Sequence, residues 1–88
     1  DLNAVLFLIG IQELGRMQVD FTKEEKQDLM HIAVCSLLSE DDYYEFEGRD
    51  ADGWPHYKPL NPIHLKGAKE QERLLKEKVI NYFNENEL

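Results

Sequence analysis

Three groups of side chains in this sequence are of types, and at spacings, that could do chemistry. The first is Asp28, His31 and Cys35, which stand at i, i+3 and i+7 and so share one face of any helix that carries them. An imidazole near a thiol can help generate a nucleophilic thiolate, and the two together can begin a zinc site. A plainer outcome competes with this: Asp28 pairs with His31 at the surface, and Cys35 serves as a small core residue, the usual fate of a free cysteine. A zinc site needs further ligands, and the chain has 1 Cys, so core placement is the expectation for Cys35.

The second group is Asp50, Asp52 and His56. Two carboxylates and an imidazole in a turn suit a divalent cation. An EF-hand loop is ruled out, because placing Gly53 at the central glycine position puts Gly48 at the start and Pro59 at the end, where Asp and Glu are required. The competing reading is that aspartates occupy turns because their side chains cap local backbone groups.

The third group is Trp54-Pro55-His56-Tyr57-Lys58-Pro59, with Tyr43, Tyr44 and Phe46 close by. Trp and Tyr bury much area at low entropic cost and dominate interface hot spots. The prolines stiffen the segment before binding. The alternative is a second small core packed onto the helices. Other familiar chemistries are missing: Gly10 and Gly15 lack phosphate-loop neighbours, no Ser has a nucleophile-elbow context, and the Asp-Ser-Leu site of acidic helical carriers is not present.

The elements that position these groups follow from pattern. Leu2–Leu14 reads as a helix with apolar residues on nearly every side, including Phe7, Leu8 and Ile11, and Gly15 suits its C-terminal cap. Such a helix should be buried nearly all round. Thr22 and Glu25 form a capping box, Phe21 can staple onto the first turn, and a second helix is predicted over Lys23–Leu38 at the centre of the fold. Tyr43–Glu47 and Trp54–Lys58 have strand composition, and Asp52-Gly53 is a hairpin signal. A two-residue loop there sets Glu47 opposite Lys58, on an edge strand that Pro55 and Pro59 keep from pairing further. Asn61-Pro62 offers a start for a third helix running to about Asn84, with an irregularity at Gly67 and an apolar stripe of Leu75, Val79, Tyr82 and Phe83.

Composition narrows the function classes. The chain has 88 residues, one domain's worth, and a formal net charge of −8. That charge opposes binding to phosphate backbones and anionic membranes, so nucleic acid is not an expected partner. A basic protein attracted to the acidic stretch from Glu40 to Glu47 is a weaker possibility. One cysteine excludes an internal disulfide and fits a reducing, cytoplasmic setting. The longest apolar run, Ala4–Ile11, is too short to span a membrane, for which about 20 residues are needed. No signal peptide is evident, and the missing initiator Met suggests that a natural leader has been left off.

The expected fold is therefore mainly α: three helices with a short β-hairpin or ordered loop between the second and third. A chain this short buries only about 60–65% of its unfolded surface, so covering the first helix calls for a second copy or another protein. The functional expectation is a non-catalytic interaction or dimerisation module, a homodimer, with Phe7, Tyr44, Trp54, His56 and Tyr57 as interaction candidates and no cofactor. The alternative is a small metal-dependent enzyme or ligand-binding protein built on Asp50, Asp52 and His56.

Overall fold

The computed structural model describes residues 1–16, 20–61 and 67–86. Helix α1 spans Leu2–Leu14. The Asp1 carboxylate caps it by accepting the Ala4 N–H at 2.8 Å, and Gly15 ends it in the left-handed region at φ 70°. Helix α2 spans Lys23–Ser39 and begins with the expected capping box: Thr22 Oγ1 accepts the Glu25 N–H at 3.1 Å, and Glu25 Oε1 accepts the Thr22 N–H at 2.9 Å. Phe21 sets its ring edge-on to Phe7 of α1, with centroids 6.0 Å apart.

Strands β1 (Tyr44–Arg49) and β2 (Pro55–Pro59) form an antiparallel hairpin. Its register differs from the sequence expectation. Lys58 faces Glu45 rather than Glu47; Phe46 faces Tyr57, Gly48 faces His56, and Glu47 is the extra residue of a bulge. The cause is the loop, which is longer than two residues. Asp50 Oδ1 accepts the N–H groups of Asp52 (2.9 Å) and Trp54 (3.0 Å), and the Asp50 N–H donates to the Trp54 carbonyl at 3.0 Å. These bonds close the turn at Asp50 and Trp54, with Gly53 at φ 87° supplying the left-handed step such loops require. Asp52-Gly53 thus marks the turn without setting its length.

Helix α3 spans Ala68–Asn86 and follows Gly67, which has φ 86°. The expected start at Pro62 lies outside the described residues. Asn61 itself donates from Nδ2 to the Asp42 carbonyl at 2.8 Å, tying the end of the hairpin to the break after α2.

Helix α2 is central, packing against α1, both strands and α3. Leu6 and Ile9 of α1, Ala33 and Leu37 of α2 and Tyr82 of α3 form the main core cluster, with the expected α3 stripe of Leu75, Val79 and Phe83 against it. The first two helices approach closely at Gly10, where an added Cβ would lie 2.2 Å from the Leu29 carbonyl oxygen.

The first helix is not buried nearly all round. Leu6, Ile9, Gly10 and Leu14 are buried, Leu2, Val5, Phe7 and Ile11 are half-buried, and Leu8 is 58% exposed. Its inward face lies against α2, and nothing described in the chain covers the side that carries Leu8. Among the described residues no helix is long and apolar enough to cross a membrane.

A candidate cleft between the second helix and the hairpin

Helix α2 and the hairpin loop enclose a half-open cleft of about 320 Å³. Asp28, His31, Ile32 and Cys35 form the helix wall, and Asp50, Trp54, Pro55, His56 and Tyr57 form the opposite wall. Residues from all three chemical groups in the sequence therefore share one cavity. Neither helical spacing nor turn composition could reveal this, because the docking of the hairpin on α2 decides it.

The helix wall follows from α-periodicity, which carries Asp28, His31 and Cys35 up one face of α2. Asp28 does not pair with His31 and makes no hydrogen bond or ion pair among the described residues. Instead His31 Nε2 lies 3.5 Å from Cys35 Sγ, and the His31 and Tyr44 rings stand perpendicular with centroids 6.5 Å apart. Cys35 is 1% exposed, as its core reading requires, and burial pushes its pKa up to about 11. A thiol that stays protonated at neutral pH is a poor nucleophile. It acts as a weak donor to His31 Nε2 when that nitrogen carries the lone pair.

The opposite wall is fixed by Asp50. Besides capping the loop, its Oδ2 lies 2.8 Å from His56 Nε2. That hydrogen bond, first, and those from the Trp54 and Asp52 N–H groups hold the carboxyl below its ordinary pKa. An ionised carboxylate can only accept, so Nε2 of His56 is the donor. Both side chains remain well exposed, at 59% for His56 and 39% for Asp50.

Asp52 does not join this pair. Its carbonyl accepts from Arg16 at 3.2 Å, and among the described residues no three His, Cys, Asp or Glu side chains converge in a way that could hold a metal ion. Nor does His56 have a hydroxyl, thiol or amine as a hydrogen-bond partner there. The Asp50–His56 pair thus stabilises the turn at the cleft mouth.

The aromatic segment is divided between core and surface. Pro55 is buried, Trp54 and Tyr57 are half-buried with lining atoms in the cleft, and Phe46 is 50% exposed with its ring centroid 5.6 Å from that of Tyr57. Tyr44 and Phe7, both interaction candidates, do not line the cleft; each is half-buried in an aromatic contact.

The hairpin is held in place by polar contacts that sequence inspection misses. Arg49 Nη1 donates to the carbonyls of Leu14 (3.1 Å) and Gly53 (2.9 Å), and Nη2 donates to the Glu13 carbonyl at 2.7 Å. Its cation sits on the negative end of α1, whose last turn holds no basic residue. The Glu13 side chain accepts from Ser36 Oγ of α2 and from the Tyr82 hydroxyl of α3, both at 2.8 Å. The missing base in the last turn of α1 was the one available signal for Arg49. Glu13 had none, since a lone Glu late in a helix reads as a solvated residue. Burial, first, and the Glu13 carboxylate raise the pKa of Tyr82. Burial also raises that of Tyr57, opposed by its hydrogen bond with Ser36.

On the other side of α2, the acidic break is partly neutralised. Lys78 Nζ lies 2.7 Å from Asp41 and 3.8 Å from Glu40, and this partnership raises its pKa, with the Asp41 hydrogen bond the largest cause.

No family model, curated protein or solved structure matches the chain.

Proposed function

We propose that this chain is a non-catalytic protein-interaction domain that self-associates through the outer face of α1. The observation that carries the reading is Leu8, a large apolar side chain 58% exposed on a helix whose mean character is apolar. Ala4 is exposed beside it at i−4, and Phe7 and Ile11 are half-buried at i−1 and i+3, so the patch is continuous along the helix. A second copy related by twofold symmetry would present the same stripe and cover both at once. Fully burying a leucine contributes about 1.5–3 kcal/mol, and Leu8 at 58% exposure has somewhat over half of that left to gain.

Light scattering coupled to size-exclusion chromatography over a concentration series tests this. The expected result is a mass that rises from one to two copies with concentration. Leu8→Glu should hold the chain monomeric while leaving its circular dichroism unchanged, because Leu8 supports no core contact that the substitution removes. A folded parent that stays monomeric at every concentration refutes the reading.

A further inference from the structure

We propose that the cleft between α2 and the hairpin is a receptor site for an arginine side chain presented by a partner polypeptide. The site is separate from the α1 face. Its volume, about 320 Å³, is at the small end of ligand pockets and matches one long side chain better than a cofactor. Its lining carries two carboxylates, Asp28 and Asp50, two imidazoles, His31 and His56, and among the described residues no Lys or Arg. Asp28 makes no hydrogen bond or ion pair among the described residues, so its charge is uncommitted. Asp50 keeps its charge while bonded to His56.

The aromatic components point the same way. Trp54 and Tyr57 line the cavity, and indole and phenol faces attract a flat delocalised cation. Guanidinium is planar, weakly hydrated and able to stack while it donates to a carboxylate, which an ammonium does less well. Ile32 and Pro55 supply apolar wall for the methylene stem. The net charge of −8 draws a basic partner toward the surface before contact. An anionic ligand would face the Asp28 and Asp50 carboxylates and the net negative charge instead.

Trp54 is the chain's 1 tryptophan, so its fluorescence reports the cleft directly. The probes are a blocked Gly-Arg-Gly tripeptide, the same peptide with citrulline for arginine, and methylguanidinium. The arginine peptide should change Trp54 emission saturably, with affinity falling as salt is raised. The citrulline peptide, equal in shape but uncharged, should bind at least about fivefold more weakly. Asp28→Asn should weaken the arginine peptide about threefold, the scale of one exposed charge pair. Glu24→Gln, an acidic change on α2 outside the cleft, should not. Equal binding of the arginine and citrulline peptides, or an Asp28→Asn affinity equal to the parent's, would overturn the cation site. Equal affinity for methylguanidinium and the arginine peptide would overturn a polypeptide as the occupant. Each titration is read on Leu8→Glu as well as on the parent, so that failure of self-association and failure of this site are told apart.

Discussion

Replacing Gly10 by Ala should destabilise the domain, although helix propensity alone predicts the opposite. In an unobstructed helix interior, Gly→Ala is favourable by about 1 kcal/mol. Here the new Cβ would lie 2.2 Å from the Leu29 carbonyl oxygen, 2.7 Å from its carbonyl carbon and 2.9 Å from its Cβ. The first two are backbone atoms, which no rotamer change can move aside. Restoring ordinary contact requires α1 and α2 to separate by about 1 Å, and a gap of that size forfeits a quarter to a half of the dispersion energy at each contact it opens. Ile9 and Leu29, both 0% exposed, lie at this crossing and lose most. Overpacking and core-loss effects of this kind cost about 2–5 kcal/mol. Crediting the propensity gain leaves a net loss of about 1–4 kcal/mol, or a melting temperature lower by roughly 5–30 °C for a domain of this size. Thermal and urea unfolding followed by circular dichroism and Trp54 emission would measure it. Gly15→Ala is the control: φ is 70° with nothing within 4 Å of the added Cβ, so only the backbone penalty of about 1–2 kcal/mol applies. A Gly10→Ala domain that melts at or above the parent temperature would refute the close-approach argument.

Three further outcomes follow from the same structure. Cys35, 1% exposed with a pKa raised to about 11, should resist a thiol-specific disulfide reagent at pH 8 in the native state and react at once in urea; fast native labelling would contradict its burial. Tyr82→Phe removes the hydroxyl donated to Glu13 and should cost about 1.5–3 kcal/mol, the range for a hydrogen bond to a charged group, which urea unfolding can resolve. Asp50 has a native pKa below its ordinary value, so its ionised form stabilises the fold above about pH 4, and that contribution is lost as pH falls through the native value. Asp50→Asn should therefore unfold more easily than the parent at pH 6, by a margin that shrinks as the pH is lowered through the acid range, and a pH-independent difference between them would rule this linkage out.

The parts of the fold that depend on local chemistry were legible in the residues. Gly15, Thr22 and Glu25 set helix ends within a few residues, where a side chain bonds its own backbone or a glycine takes a positive φ. Features that depend on two distant segments were not. Gly10 reads as an interruption in an apolar run, and its purpose is visible only once Leu29 lies against it. The hairpin register turned on Asp50 folding back on its own loop, which displaced Glu47 into a bulge and gave Lys58 to Glu45. The cleft was hidden for the same reason. Asp28, His31 and Cys35 could be placed on one helix face and Asp50, Trp54 and His56 on one turn, but their meeting is a fact of tertiary docking.

A thin core explains why polar groups carry so much of that docking. A domain of this length has a limited apolar interior, and here the main core cluster draws its buried members from the three helices alone. The hairpin contributes Pro55 as its buried residue, so apolar burial by itself fixes its position weakly. Directional bonds make up the difference. Glu13 accepts through its main-chain carbonyl from Arg49 of β1 and through its carboxylate from Ser36 of α2 and Tyr82 of α3, so one residue of α1 joins three other elements. The same Arg49 reaches the Gly53 carbonyl in the loop, and Arg16 reaches the Asp52 carbonyl beside it. Bonds of this kind are costly to break singly, because each leaves a partner in want of a donor. They also define one orientation, which apolar contact does not. The geometry of the cleft therefore depends on the last turn of α1, a helix that contributes none of its lining residues.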